Sequence, residues 1–276
     1  RGRLWVADFG TNRIRIFDRE GGLLGGWGGR GSGVHQLREP CGVAIHGDSV
    51  YVADTWNGRV QMFTLAGEWK AVATGLYGPR AVAVAPDGTV WASDTGNHSL
   101  VAWDSTLANK KTFGKAGSRP GDFSSPVGVA ASSGAVYVAD VGNRRIQVLA
   151  PSGQFRAAWP FPGWKEGGEA HLEADGDRVY ASDPAGGAVL AFDATGKVLE
   201  RWTAGESARP FSRPTGLALD AKARLLYVVN SGDNSVARID LSRARSFRSL
   251  PGGTARGILW EIFAKAFSDP RRVGEP

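Results

Sequence analysis

One pattern recurs six times along this chain of 276 residues, and it restricts the fold more than any other feature. It sets an apolar pair, usually with an aromatic, before small residues and an acidic or amide position, followed by a turn and a second apolar run. The copies are Leu4-Trp-Val-Ala-Asp8, Val50-Tyr-Val-Ala-Asp54, Val90-Trp-Ala-Ser-Asp94, Val136-Tyr-Val-Ala-Asp140, Val179-Tyr-Ala-Ser-Asp183 and Leu226-Tyr-Val-Val-Asn230. Successive anchors lie 46, 40, 46, 43 and 47 residues apart. That length holds four short strands with their turns, the size of one propeller blade. The 39 glycines are scattered through the chain, as many tight turns require.

Each unit reads in one order. A strand of small residues opens it, as in Pro40-Cys-Gly-Val-Ala-Ile45 or Pro126-Val-Gly-Val-Ala130, and a turn such as Asp87-Gly88 follows. The aromatic strand ending in Asp comes next, then a Gly-Asn turn and a third strand such as Arg144-Arg-Ile-Gln-Val148. Tryptophans 27, 69, 159 and 202 mark the fourth. No sustained 3.6-residue periodicity interrupts this, so the body is expected to be all-β.

These residues resemble the NHL repeat family. Val136 to Val148 follows its consensus almost residue for residue, and Asp54 to Phe63 and Leu4 to Phe17 follow it closely. The resemblance implies a six-bladed β-propeller of four-stranded antiparallel blades over residues 1–250, closed between N- and C-terminal segments. The first unit begins at its aromatic strand, so residues 251–276 are expected to close the ring. There Thr254-Ala-Arg-Gly-Ile-Leu259 reads as a worn inner strand. The rival is a short helix on which Leu259, Ile262, Phe263, Ala266 and Phe267 share a face. The resemblance also implies that ligands bind the face carrying the loops into each inner strand and the Asp-x-Gly-Asn turns.

The formal charge of +6 is uneven. Arg243, Arg245, Arg248, Arg256, Lys265, Arg271 and Arg272 oppose Glu261, Asp269 and Glu275 near the end, which leaves roughly +2 for the body. A basic tail on a near-neutral body weakens a nucleic-acid reading. The single cysteine, Cys41, excludes an internal disulfide and a cysteine-rich metal site. No run approaches the roughly 18 apolar residues of a membrane span. The chain opens directly on an apolar run, as expected of a processed protein or a domain of a longer one, and an extracytoplasmic or secreted, monomeric protein is anticipated.

The repeated Asp is expected to lock its own turn by accepting backbone N–H bonds rather than to serve catalysis or a metal. Arg13, Arg59 and Arg144 are expected to pair with those carboxylates. The informative place is where the repeat breaks. Inner strands carry two small residues, Gly42 and Ala44, Ala81 and Ala83, Gly128 and Ala130, Gly216 and Ala218; in blade five the same count lands on His171 and Glu173, with Glu169 in place of the usual proline. If these side chains line the central channel, they are candidates for a ligand or one divalent metal. Trp56 replaces a turn glycine and is either a stacking platform or packed against a neighbouring loop. Arg80 and Arg256 lie where inner strands begin and would place positive charge at the channel mouth. His35, His46 and His98 lack metal-ligand spacing and are expected to be solvated.

Three function classes follow. The first is a binding scaffold for a protein or glycan, which needs no special chemistry. The second is a lyase or hydrolase with a channel-mouth site near His171, since some members of the resembling family are such enzymes. The third is RNA binding, ranked last because the body is nearly neutral.

Overall fold

In a computed structural model, residues 2–165 and 168–242 are described. They form six small antiparallel sheets arranged as a β-propeller. Blade one comprises Leu4–Asp8, Arg13–Phe17 and Leu23–Gly28; blade two Pro40–His46, Ser49–Asp54, Arg59–Thr64 and Trp69–Ala73. Blade three comprises Pro79–Val84, Val90–Asp94, Ser99–Trp103 and Lys111–Phe113; blade four Pro126–Ala131, Val136–Asp140, Arg145–Leu149 and Phe155–Pro160. Blade five holds Leu172–Asp175, Arg178–Asp183, Ala188–Phe192 and Val198–Trp202; blade six Pro214–Asp220, Leu225–Asn230 and Ser235–Asp240.

The repeat explains the register. A small residue near the end of the inner strand faces the aromatic of the second strand in blade after blade: Ala44 opposite Tyr51, Ala130 opposite Tyr137, Ala218 opposite Tyr227. Blade five keeps this register with Glu173 opposite Tyr180. Inner strands start with an irregularity between the proline and the residue two or three places on. The aromatics and β-branched residues of the second strand fill the seams between blades. Tyr51 packs with Val82 and Trp103 across one seam, and Tyr137 with Leu172, Val179 and Trp159 across another. Each seam is thus the core shared by two neighbouring sheets.

Blade one starts at its second strand, as its sequence implies, and Arg19 of that blade pairs with Asp220 of blade six at 2.5 Å. A cleft of about 250 Å³ lies beside this pair, lined by Arg3, Leu4, Ala218 and Tyr227 among others. The closing strand or helix expected within 251–276, and Arg256 with it, lie outside the described residues. No described helix is long and apolar enough to cross a membrane.

Candidate functional site

The face formed by the loops leading into the inner strands is built on a repeated lock. Asp54 is fully buried, and one carboxylate oxygen accepts the backbone N–H of Arg38 at 2.7 Å. The other accepts Asn57 Nδ2 at 2.9 Å, Arg59 Nε at 2.7 Å and Gln61 Nε2 at 3.1 Å. Asp140 repeats the arrangement with Ser124 N–H, Asn143, Arg145 and Gln147. Asp94 retains the Tyr77 N–H and Asn97 contacts, and Asn230 accepts from Ser212 N–H. One carboxylate therefore holds both its own turn and the loop that feeds its own inner strand. These groups are committed to structure, but only Asp8 and Asp183 accept a backbone N–H of their own turn as expected, from Thr11 and Gly186. At Asp54, Asp94 and Asp140 the turn is held through its Asn side chain instead.

The arginine partners differ from expectation in two blades. In blade four the left-handed turn residue is Arg144, with φ of 51°, so the strand starts one residue later and Arg145 meets Asp140 at 2.7 Å. In blade one Asp8 pairs with Arg15 at 2.6 Å, the position that glutamine takes in blades two and four. Arg13 and Arg144 are consequently left exposed on the loop face. Only Arg59 pairs as anticipated.

Sister loops also lock blade to blade. The left-handed turn residues Asn12 and His98 accept the backbone N–H groups of Glu39 and Ser125, at 2.8 and 3.0 Å. His98 is thus a structural acceptor rather than a solvated side chain, while His35 is exposed as expected.

The channel mouth brings Arg80 and Glu169 together, with His171 close enough to feel both charges. Arg80 Nη1 of blade three meets Glu169 Oε1, ahead of blade five's inner strand, at 3.0 Å. Both side chains are about one-third exposed, at 32% and 34%, so the pair adds little stability but bridges non-adjacent blades. His171 and Glu173 keep partial exposure yet are walled in by protein. Burial lowers His171 to about 4, with Glu169 acting against the shift and Arg80 with it. Burial raises Glu173 to about 8, against a bond from the Ala174 backbone. Both are therefore largely uncharged near pH 7.

Glycine contacts revise where this pair points. A Cβ on Gly42 would lie 3.0 Å from the Ala81 backbone, and one on Gly128 would lie 2.7 Å from the Ala170 carbonyl. The small positions thus face the next blade's inner strand rather than the axis. By register, His171 and Glu173 occupy these positions at the seam with blade six. Blade five's inner strand shortens accordingly to Leu172–Asp175.

Cys41 joins this mouth. Its Sγ donates weakly to the Glu39 carbonyl at 3.5 Å, and burial pushes the thiol up despite the Thr55 hydrogen bond and the Arg80 charge. It is poorly placed to be a nucleophile. Among the described residues no three His, Cys, Asp or Glu side chains converge as a metal centre. His171 and Glu173 alone do not supply a ligand set.

Aromatic residues surface around the mouth. Trp56 is 58% exposed, so it is not packed away against the next loop. In the sister turns the equivalent residues are Gly96 and Gly142, and a Cβ there would run into the Tyr77 ring and Ser124 respectively. At Trp56 the Arg38 carbonyl accepts the turn's N–H at 3.1 Å and the indole turns outward. Tyr77 is 66% exposed on the adjacent loop and was not singled out from sequence. The signal was present: the residue two before the inner-strand proline is Arg38, Ser124 or Ser212 in sister units, and an aromatic there stands out.

The NHL repeat family matches residues 76–103 and 123–149. The human protein "E3 ubiquitin-protein ligase NHLRC1" is 30% identical over 109 residues, 39% of this chain. The match spans only 28% of that relative's length. A streptogramin B lyase structure superposes with a TM-score of 0.60 at 12% identity, covering 86% of this chain and 75% of its own. A nidogen/laminin complex structure contains a chain with a TM-score of 0.64 at 16% identity, covering 88% of this chain and 90% of its own. At such identities the two structures share the fold alone.

Proposed function

The chain carries NHL repeats on a six-bladed β-propeller, and from that premise we propose that it is a protein-recognition module working through the loop face. The observation that carries this reading is the exposure of Trp56 and Tyr77 on one sector of that face, on loops pinned by buried carboxylates. Large aromatics held on a rigid frame lose little conformational freedom on binding and are favoured anchors of protein interfaces. The human relative's name and the nidogen/laminin complex are consistent with a role in protein assemblies.

The test compares wild-type protein with a Trp56→Ala/Tyr77→Ala variant in affinity purification from the source organism, partners being identified by mass spectrometry. Partners retained by the wild type and lost by a variant of unchanged melting temperature support the reading. An identical partner set would remove the aromatic sector as the recognition site.

A second reading, a small-molecule site at the channel mouth, is favoured by one observation: His171 is enclosed and uncharged near pH 7 beside the Arg80–Glu169 pair, two residues before the equally enclosed Glu173. Perturbed groups of this kind gather at functional sites. A glycan partner, a location outside the cytoplasm and a monomeric state are proposals of the same standing, tested by glycan arrays, fractionation and sedimentation.

A further inference from the structure

The near-neutral body conceals a separation of charge by face. On the loop face Arg13, Arg30, Arg38, Arg119, Arg144 and Arg213 are all exposed, and none has an acidic partner among the described residues. Of the carboxylates of that face, Asp54 is paired with Arg59, Asp140 with Arg145, Glu169 with Arg80 and Glu206 with Arg238, and Glu39 and Asp122 remain against the six arginines. The turns of the opposite face carry Asp18, Asp48, Asp87, Asp104, Asp177 and Asp193 with fewer cations, among them Arg19, Lys110, Lys222 and Arg224.

Two of these arginines sit where the backbone resists them. Arg144 and Arg213 have φ of 51° and 50°, and sister blades place Gly58 and Gly78 at the corresponding left-handed positions. A non-glycine residue there costs of order 1 kcal/mol. Asn12 and His98 offset that cost by bonding the next blade. The Arg144 and Arg213 side chains make no such bond among the described residues, so their guanidinium groups are free for a partner.

The cations also have an outline. The loop leading into blade three, residues 74–79, bears no charged residue and presents Tyr77, its Leu76 N–H bonding the Gly58 carbonyl of the turn that carries Trp56. On either side, Arg30 and Arg38 lead into blade two and Arg119 into blade four. An uncharged aromatic centre with a charged periphery is the anatomy of a protein interface. A phosphodiester chain asks instead for cations continuous along its track.

We propose that the loop face binds an acidic polypeptide segment that places an apolar or aromatic anchor against Trp56 and Tyr77 and its carboxylates on the flanking arginines. This rests on the protein-recognition reading and specifies the partner's chemistry. Arginine serves such a partner well because its planar fork matches a carboxylate with two parallel bonds.

The experiment selects binders from a random peptide library displayed on phage, then measures fluorescein-labelled copies of the enriched peptides by anisotropy, with poly(U) RNA as the competing probe. The expected result is enrichment of peptides rich in Asp and Glu around an apolar residue. Arg38→Glu/Arg144→Glu and Trp56→Ala should each weaken binding about tenfold or more, whereas Lys222→Glu on the opposite face should not. Enriched peptides without acidic bias, insensitive to the arginine changes but lost with Trp56→Ala, would overturn the acidic partner and leave the protein-recognition reading standing. Poly(U) bound more tightly than any peptide, or no binding of either probe, would overturn both.

Discussion

Glu173 gives the sharpest test of the channel mouth. Its carboxyl is held at about 8 against an ordinary 4.5, with burial as the cause. Because the folded value lies above the unfolded one, folding is unopposed by this group below pH 4.5. Stability then falls as pH rises, and the loss is complete near pH 8. At 1.36 kcal/mol for each pH unit between the two values, the full cost is at most about 5 kcal/mol. The partial exposure of Glu173 screens this to roughly 2 kcal/mol. Glu173→Gln, which keeps the shape of the protonated acid, should melt like the wild type at about pH 5 and higher than it at about pH 8.5. For a domain of this size the gain is about 4–8 °C. The assay is a pair of thermal melts, by circular dichroism, at each pH. His171 acts in the other direction, because its folded value of about 4 lies below its ordinary 6.5. It costs stability as pH falls from 6.5 to 4. The two ranges overlap from pH 4.5 to 6.5, where the opposing slopes offset each other, so the wild type should be most stable across that overlap and lose stability on either side of it. A Glu173→Gln difference that is the same at both pH values would show that Glu173 titrates normally and that the enclosed site is misread.

The turn lock should be costly to remove: Asp54→Ala strands the buried Gln61 and the Arg59 guanidinium, for a loss of about 3–5 kcal/mol by urea titration. Asp94→Ala, whose blade has Ser99 in the arginine position, should lose less, about 1–3 kcal/mol in the same titration. Gly128→Ala drives a methyl group against the Ala170 carbonyl and His171 backbone and should destabilise by about 1–3 kcal/mol, while the open Gly134 tolerates the same change. Cys41, with a raised thiol and partial burial, should react with a disulfide reagent far more slowly in the native state than in urea; equal rates would contradict its placement.

The architecture was legible because its cause is periodic. An aromatic strand closed by Asp recurs at blade spacing, and one strand register follows from it, so Ala44, Ala130 and Glu173 all land opposite the second-strand aromatic. What sequence did not reveal is where side chains turn once strands curve around an axis. Counting residues marked Gly42 and Gly128 as small, but only the approach of the next inner strand shows why. Arg144 and Arg145 are adjacent and chemically alike, and a single left-handed residue decides which one reaches Asp140. The basic loop face escaped notice for another reason: net charge sums over both faces, and the acidic turns of one cancel the arginines of the other.

The carboxylate locks have a consequence for how such a surface changes over time. In the segment between Gly28 and Pro40, Arg59 and Gln61 hold the carbonyls of Ser32, Gly33 and Gln36, Asn57 holds that of Gly31, and Asp54 holds the Arg38 amide. All of these contacts are to main chain. The side chains of Arg30, Ser32, Val34 and His35 make none of them, so they can be exchanged without loosening the frame. A scaffold that grips its loops chiefly by main chain, with Gln36 and the buried Leu37 as the side-chain anchors, lets recognition drift at the other positions while the fold stays fixed. It also offers a place where new loop side chains can be installed by design.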